Sequence, residues 1–265
     1  MIVQCGDLQL AYDDVGAGPP VVLLHPFPLD RSYWSPQLAA FGPRCRCIAP
    51  DTRGFGETTA IPPYSMERYA DDVICLLDAL EIERAVIVGL SMGGYIAFAI
   101  WRRHPDRVRA LVLADTRAGA DSDEGRDKRR DLMALARDRG SAAVAQAQLP
   151  GLIGKQTRER RPDVAEALRG IMERASVTGI TGALEAMIAR PDASGILATI
   201  SVPTLIVAGA DDVLTPPKEA RAMHAAIPGS VLELLADAGH ASSFERPGTF
   251  NHVLGEFLDS IEGTT

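Results

Sequence analysis

Gly89-Leu90-Ser91-Met92-Gly93 follows the apolar run Ala85-Val86-Ile87-Val88 and leads into the helix-forming stretch Gly94 to His104. An unbroken run of small and β-branched apolar residues reads as a strand covered on both faces. The pentapeptide is therefore the point where a buried strand turns into a helix. Gly-x-Ser-x-Gly in that setting is a nucleophile elbow, a turn so sharp that the residues two either side of the serine must lack bulk. Gly89 and Gly93 meet that demand, and Gly94 lets the helix lie close against the sheet. The Ser91 hydroxyl is pushed out at the end of the sheet, while the Met92 N–H, first in the helix, points where an oxyanion would form. The plain alternative is a Gly-rich turn with an incidental serine; the strand before and the helix after argue against it. A dinucleotide-binding turn is excluded, because Gly-x-Gly-x-x-Gly needs glycine where Ser91 stands.

Working outward, strand-like and helix-like segments alternate from Val21 onward, which implies parallel strands joined by helices. Ile2 to Cys5 and Leu8 to Asp13 flank Gly6-Asp7 and read as a hairpin. Val21 to Leu24, Arg44 to Ala49 and Ala110 to Ala114 read as strands. Ser65 to Leu80 reads as a helix capped by Ser65. From Thr116 to Ile196 the alternation stops. That stretch is rich in Ala, Arg and Asp, holds no strand pattern, and fits three or four amphipathic helices hung over the sheet. Their Leu, Ile and Met positions pack among themselves and could line an apolar pocket above Ser91. The basic stretch Lys155 to Arg161 reads as a solvated face. Val202 to Gly209 resumes the strand pattern, followed by a helix from Pro217 to Ile227, a strand from Val231 to Leu235 and a helix from Pro247 to Ile261. The division expected is a core of residues 1–115 and 197–265, with 116–196 inserted as a helical lid.

The 265 residues suffice for one large α/β domain, and the formal charge of −8 argues against nucleic acid or an anionic membrane as partner. No apolar run approaches the roughly 20 residues a bilayer span requires. Met1 to Leu10 lacks the basic start and apolar core of a signal peptide, so a cytoplasmic location is the default expectation. Cys5, Cys45, Cys47 and Cys75 show no framework spacing and are expected to remain thiols. Cys45 and Cys47, two apart on a strand, would share one face as small hydrophobes.

Ser91 needs a base. His104 ends a helix before Pro105, and His224 and His252 fall inside helices. His25 ends a strand. His240, in Ala238-Gly239-His240, follows the last strand on a loop at the end of the sheet, where such folds place their chemistry. It is the candidate general base and acid. Asp211 and Asp212 follow the strand ending at Gly209, and either could orient the imidazole; Asp115 is the fallback, and Asp237 serves a turn. The order serine, acid, histidine fits a serine hydrolase of α/β type.

The chain resembles the α/β-hydrolases of the lidded esterase, lactonase and cofactor-free haloperoxidase group over nearly its whole length. The residues that carry the resemblance are His25-Pro26-Phe27-Pro28, Asp51-Thr52-Arg53-Gly54-Phe55-Gly56, Gly89 to Gly93, Gly209-Ala210-Asp211-Asp212 and Gly239-His240. It implies a mostly parallel, eight-stranded sheet flanked by helices, and it selects Asp212, three positions after the strand-end glycine, as the acid. It also implies the Phe27 N–H as second oxyanion donor beside Met92. Pro26 stands where the group commonly has glycine and cannot donate a backbone proton. His25 is expected to organise that loop, and Arg53 to have a structural role. A serine at position 91 rules against the branches that use aspartate there.

The resemblance implies acyl transfer to water through an acyl-enzyme, with no metal or organic cofactor, on a small-molecule ester or lactone. Within the group, His25 to Asp30, Ala186 to Asp192 and Asp212 to Pro217 look most like 3-oxoadipate enol-lactonases. A carboxylate-bearing lactone would need a cation, and Arg31, Arg117, Arg174 and Arg190 lie in regions able to supply one. The reading adopted is a carboxylic-ester hydrolase acting on small to medium apolar esters, with enol-lactonase as the specific alternative and peracid formation as a side activity. A reading of another class is a small-molecule receptor of the same fold, which an ester-turnover assay separates from an enzyme. Nothing in the sequence sets an oligomeric state.

Overall fold

Ile2–Cys5 (β1) and Leu8–Val15 (β2) pair antiparallel across Gly6-Asp7, with Gly6 at φ 63° supplying the left-handed residue that the hairpin turn needs. The structure, a computed structural model, describes residues 1–262. Pro20–Leu24 (β3), Arg46–Pro50 (β4), Ala85–Leu90 (β5), Val108–Ala114 (β6), Thr204–Gly209 (β7) and Val231–Leu235 (β8) complete one eight-stranded sheet. Its order is β1-β2-β4-β3-β5-β6-β7-β8. The first two pairings are antiparallel and the remaining five parallel, so the mostly parallel sheet expected from the sequence is the one found.

Helices cover both faces. Ser35–Phe41 (α1) joins β3 to β4, Met66–Ala79 (α2) joins β4 to β5, and Met92–Arg103 (α3) joins β5 to β6. Ser65 caps α2, its hydroxyl accepting the Arg68 N–H at 3.0 Å. Between β6 and β7 run Asp123–Leu152 (α4), Lys155–Arg160 (α5), Pro162–Glu173 (α6) and Val177–Ala189 (α7). Pro217–Ala226 (α8) links β7 to β8, and Ser242–Glu245 (α9) and Pro247–Glu262 (α10) follow. Alternate residues of the central strand divide between two cores. Ile87 faces α2 and α3, with Leu77 and Ile96, whereas Val86 and Val88 face α1 and α10, with Phe41 and Phe250. Each such aliphatic side chain contributes roughly 1.5–3 kcal/mol by burial.

Three features depart from the sequence reading. The short helix α1, preceded by a tight turn over Arg31–Trp34, and the single turn α9 were not expected, because neither is long enough to show periodicity. Helix α4 is broken at Gly140, whose φ of 75° and ψ of −176° no helix can hold. Cys5 and Cys75 do not remain thiols: they form a disulfide between β1 and α2, with Cα atoms 5.9 Å apart and 70 residues between them. Only the packing of that helix on that strand brings them together, so spacing could not reveal the pair. Cys45 and Cys47 are buried in the same core, on one face as expected. Among the described residues no helix is long and apolar enough to cross a membrane.

Candidate active site

The turn from β5 into α3 is built around steric limits. Ser91 sits at φ 55° and ψ −111°, a conformation that side-chain-bearing residues rarely adopt. A Cβ on Gly89 would collide with the Gly93 carbonyl, one on Gly93 with the Leu24 carbonyl, and one on Gly94 with the Thr116 side chain. The glycines thus let the turn fold onto β3 and β6, and Ser91 projects at the C-terminal end of the sheet.

Two other strand ends complete a hydrogen-bonded chain. His240, on the loop after β8, has its Nε2 2.8 Å from Ser91 Oγ and its Nδ1 2.8 Å from Asp212 Oδ2. Asp212, on the loop after β7, is itself fixed. Its Oδ1 accepts the N–H groups of Leu214 at 2.8 Å and Thr215 at 3.0 Å, and its Oδ2 accepts the Thr215 hydroxyl at 2.6 Å. Because the carboxylate can only accept, Nδ1 carries the proton and Nε2 is left to receive one from Ser91. Asp211 is exposed, whereas Asp212 is buried. Asp115, at the end of β6, takes the Gly209 N–H at 2.7 Å and the Ser242 hydroxyl, so its carboxylate supports the β7 end. Asp237, at φ 56°, occupies a turn as expected.

Burial alone would lower the affinity of His240 for a proton. The charge and hydrogen bond of Asp212, with smaller contributions from Asp115 and Glu245, outweigh it and raise the pKa above 6.5. Asp212 mirrors this: burial pushes its carboxyl up, but His240 and the Thr215 hydrogen bonds bring it below the ordinary value. Burial and then the Asp212 charge drive Asp115 well above the carboxylate range.

The loop after β3 borders the same cavity. His25 is fully buried; its Nδ1 lies 3.0 Å from the Pro26 carbonyl, and its Nε2 accepts the Thr52 N–H at 3.0 Å. A carbonyl only accepts, so this imidazole is neutral with its proton on Nδ1, in keeping with a pKa lowered chiefly by burial. Pro26 O also takes the Leu29 N–H at 3.0 Å. With that carbonyl anchored, the trans peptide directs the Phe27 N–H the opposite way. Phe27 lines the same cavity as Ser91 and His240, and Met92, first residue of α3, leaves its N–H outside the helical ladder. Arg53 forms a buried ion pair with Asp72 at 2.7 Å, a structural role.

The cavity over Ser91 measures about 410 Å³. Leu132, Leu152, Met187, Val213 and Leu214 give it the apolar surface that the sequence allowed for, and charged side chains line much of the rest. The first turns of α4 and the segment before it contribute Arg117, Lys128 and Arg129 against Asp121 and Glu124. The helical pattern showed which face of α4 was apolar, and a cavity borders both the apolar face and its charged edge. Arg117, Arg129 and Arg190 all engage Asp121, whose carboxyl is held below its usual range by Arg190 and Arg129 against the effect of burial. Of the four arginines noted in the sequence, Arg117 alone reaches the cavity wall. Arg190 is buried over the Tyr95 ring, 4.1 Å from its centre. Arg31 pairs with Asp13, Asp51 and Glu57, and Arg174 pairs with Asp30 at 2.8 Å. Arg129 and Thr215 were missed. Asp212 itself had a turn signal, since an aspartate side chain commonly takes the backbone N–H two residues on, here that of Leu214; the Thr215 hydroxyl had none. Among the described residues no cluster of three or more His, Cys, Asp or Glu forms a metal site.

The α/β-hydrolase fold family model matches residues 19–247. 3-Oxoadipate enol-lactonase 2 of Acinetobacter baylyi is 31% identical over 94% of this chain and 92% of its own length. A thermophilic esterase from Thermogutta terrifontis, solved with malate bound, superposes with a TM-score of 0.95 at 37% identity, covering 98% of this chain and 99% of the esterase. The enol-lactonase of Burkholderia xenovorans gives a TM-score of 0.91 at 33% identity, covering 98% of this chain and all (100%) of that one.

Proposed function

The chain belongs to the α/β-hydrolase family, and we propose that it is a serine-dependent carboxylic-ester hydrolase acting through an acyl-enzyme. One observation carries the reading: a serine in a strained elbow, 2.8 Å from a histidine whose other ring nitrogen is 2.8 Å from a buried carboxylate. In this reading Ser91 Oγ attacks the ester carbonyl as its proton passes to His240 Nε2. Asp212 holds the imidazole and stabilises its charged form. The Phe27 and Met92 N–H groups take the developing oxyanion. Collapse expels the alcohol, which leaves with the proton from His240, and the acyl group stays on Ser91. A water then gives a proton to His240 and attacks the acyl carbon. Ser91 departs, recovering its proton, and the acid is released. Residues 116–196 act as a lid over a core formed by 1–115 and 197–265.

A second reading, an enol-lactonase for a carboxylate-bearing lactone, is favoured by Arg117 and Arg129 on the cavity wall and by the names of the Acinetobacter and Burkholderia relatives. The test is a panel of p-nitrophenyl esters of increasing chain length beside an enol-lactone, with Ser91→Ala as control. Rapid multiple turnover of the esters, rising from acetate to butyrate, supports the ester hydrolase. A flat profile with fast lactone turnover promotes the second reading. Binding without turnover would mean a receptor instead.

A further inference from the structure

The loop that presents His240 is held from behind by a carboxylate to which the acyl-transfer steps give no part. Glu245, on α9, is 1% exposed. One of its oxygens accepts the Gly239 N–H and the other the Gly154 N–H, each at 2.8 Å. Gly239 is the residue before His240, and Gly154 is the junction between α4 and α5 in the helical segment. The two backbones touch with no room between them, since a Cβ on Gly154 would lie 2.9 Å from the Gly239 nitrogen. A further bond runs alongside, from the Ala241 N–H to the Leu152 carbonyl at 2.8 Å.

A carboxylate in such a place is costly unless its lone pairs are engaged, and an apolar side chain would fill the same space without that cost. What an apolar side chain cannot do is fix two N–H groups on two separate segments at once. We propose that Glu245 is a positioning residue for His240: it sets the place of the Gly239-His240 loop against Ser91 and ties that loop to the helical segment. Its charge adds a smaller effect, favouring the protonated imidazole. The inference rests on the reading of His240 as base. Three carboxyl groups bear on that imidazole: Asp212 and Asp115 at the sheet ends and Glu245 from α9. Around Glu245 itself stand Arg246, next along the chain, and Tyr33, whose hydroxyl meets Ser243 at 2.8 Å. Burial leaves the Glu245 carboxyl above its ordinary value despite the Thr157 side chain and the Gly154 and Gly239 N–H groups, which favour its charge.

Glu245→Gln and Glu245→Asp test the proposal in the full chain. Glutamine keeps the size, loses the charge, and turns an NH₂ toward one of the two N–H groups. Its kcat on p-nitrophenyl butyrate should fall on the order of 10- to 100-fold with KM within about twofold, the cost of a displaced base. The acid limb of its pH profile should move to lower pH. Aspartate keeps the charge but is one methylene short of spanning both donors, so its kcat should fall several-fold with the acid limb unmoved. Wild-type kcat and acid limb in folded Glu245→Gln, even with a lowered Tm, would overturn the proposal. If the glutamine variant does not fold, an aspartate variant with wild-type kcat would do the same. NMR titration of the His240 ring separates the two levels of inference. If the wild type hydrolyses no ester, the hydrolase reading falls, yet an imidazole pKa lowered in Glu245→Gln and kept in Glu245→Asp still supports Glu245 as the group that conditions His240. An unchanged pKa in Glu245→Gln would remove the electrostatic half of the proposal.

Discussion

The C-terminal rim of the sheet and the first turns of α4 face each other across one cavity, and they are built on opposite terms. At the rim the polar groups form one ordered chain: Ser91 meets His240, His240 meets Asp212, and Asp212 is fixed by the N–H groups of Leu214 and Thr215 and by the Thr215 hydroxyl. Across the cavity, Arg117, Arg129 and Arg190 share Asp121. Cations there outnumber the carboxylate they share, and two of them, Arg117 and Arg129, stand on the cavity wall. In the function proposed above, the rim serves the reaction and the opposite wall meets the charge of the substrate. Conditions that alter one should leave the other largely intact.

Removing the hydroxyl proposed to react is the most severe way to break the comparison. Ser91→Ala should lower kcat by on the order of 10⁵- to 10⁶-fold while circular dichroism and Tm remain near wild type. Near-normal turnover would mean that the rim does not perform the chemistry. Next, Asp212→Asn should cost about 10⁴-fold in kcat, because the amide can present its NH₂ to Nδ1 and favour the wrong tautomer. Asp211→Asn, at an exposed position, should stay within about threefold. If steady-state kinetics made Asp211 or Asp115 the sensitive position instead, the acid would be misassigned.

A subtler separation comes from pH. The His240 pKa lies above 6.5, so kcat/KM should fall about tenfold per unit as pH drops below that raised value, and the limb should move down in Asp212→Asn. Stability has the opposite sign. A histidine with a raised folded-state pKa favours folding fully below its unfolded value and loses that contribution as pH climbs through the folded one. Asp212, held low, contributes above its unfolded value and loses that contribution as pH falls through the folded one. The pair therefore favours folding most between pH 3.8 and 6.5, while activity is gained above it. Tm measured against pH for wild type and Asp212→Asn should differ most inside that window, and a constant difference would refute the linkage.

The smallest expected effect sharpens the other wall. Arg129→Ala should reduce kcat/KM for a carboxylate-bearing ester or lactone by about tenfold relative to a neutral ester of equal size, the loss of one partly exposed charge contact. Competition assays with the two substrates would measure it. An equal loss for both would assign Arg129 to folding, through Asp121, rather than to ligand charge.

The rim was legible in the sequence because its demands are local and strict. Gly89 and Gly93 flank Ser91 in a turn that leaves no room for a Cβ at either position, and Gly209 and Gly239 precede Asp212 and His240 at strand ends. The helical wall was not legible in the same way. Periodicity identified Leu132, Leu152 and Met187 as apolar, yet the same stretch places Lys128 and Arg129 at the cavity edge. An amphipathic pattern says which face is apolar, not what stands opposite its border. Glu245 gave no local sign at all, because its two partners lie 6 and 91 residues away.

By itself, then, the sequence determined the alternation of strands and helices, the eight-stranded family architecture, the elbow at Ser91 and the placing of His240 and Asp212 on loops at strand ends. Backbone sterics and hydrophobic periodicity act over a few residues and are written where they act. The tertiary structure alone decided that Asp115 supports β7, that Cys5 joins Cys75, that Arg117 and Arg129 face the cavity while Arg190 turns inward, and that Glu245 joins Gly239 to Gly154. Each of these depends on separations in space between groups far apart in the chain. Hydrogen bonds and charges act over a few ångströms, and only the packed fold sets those distances.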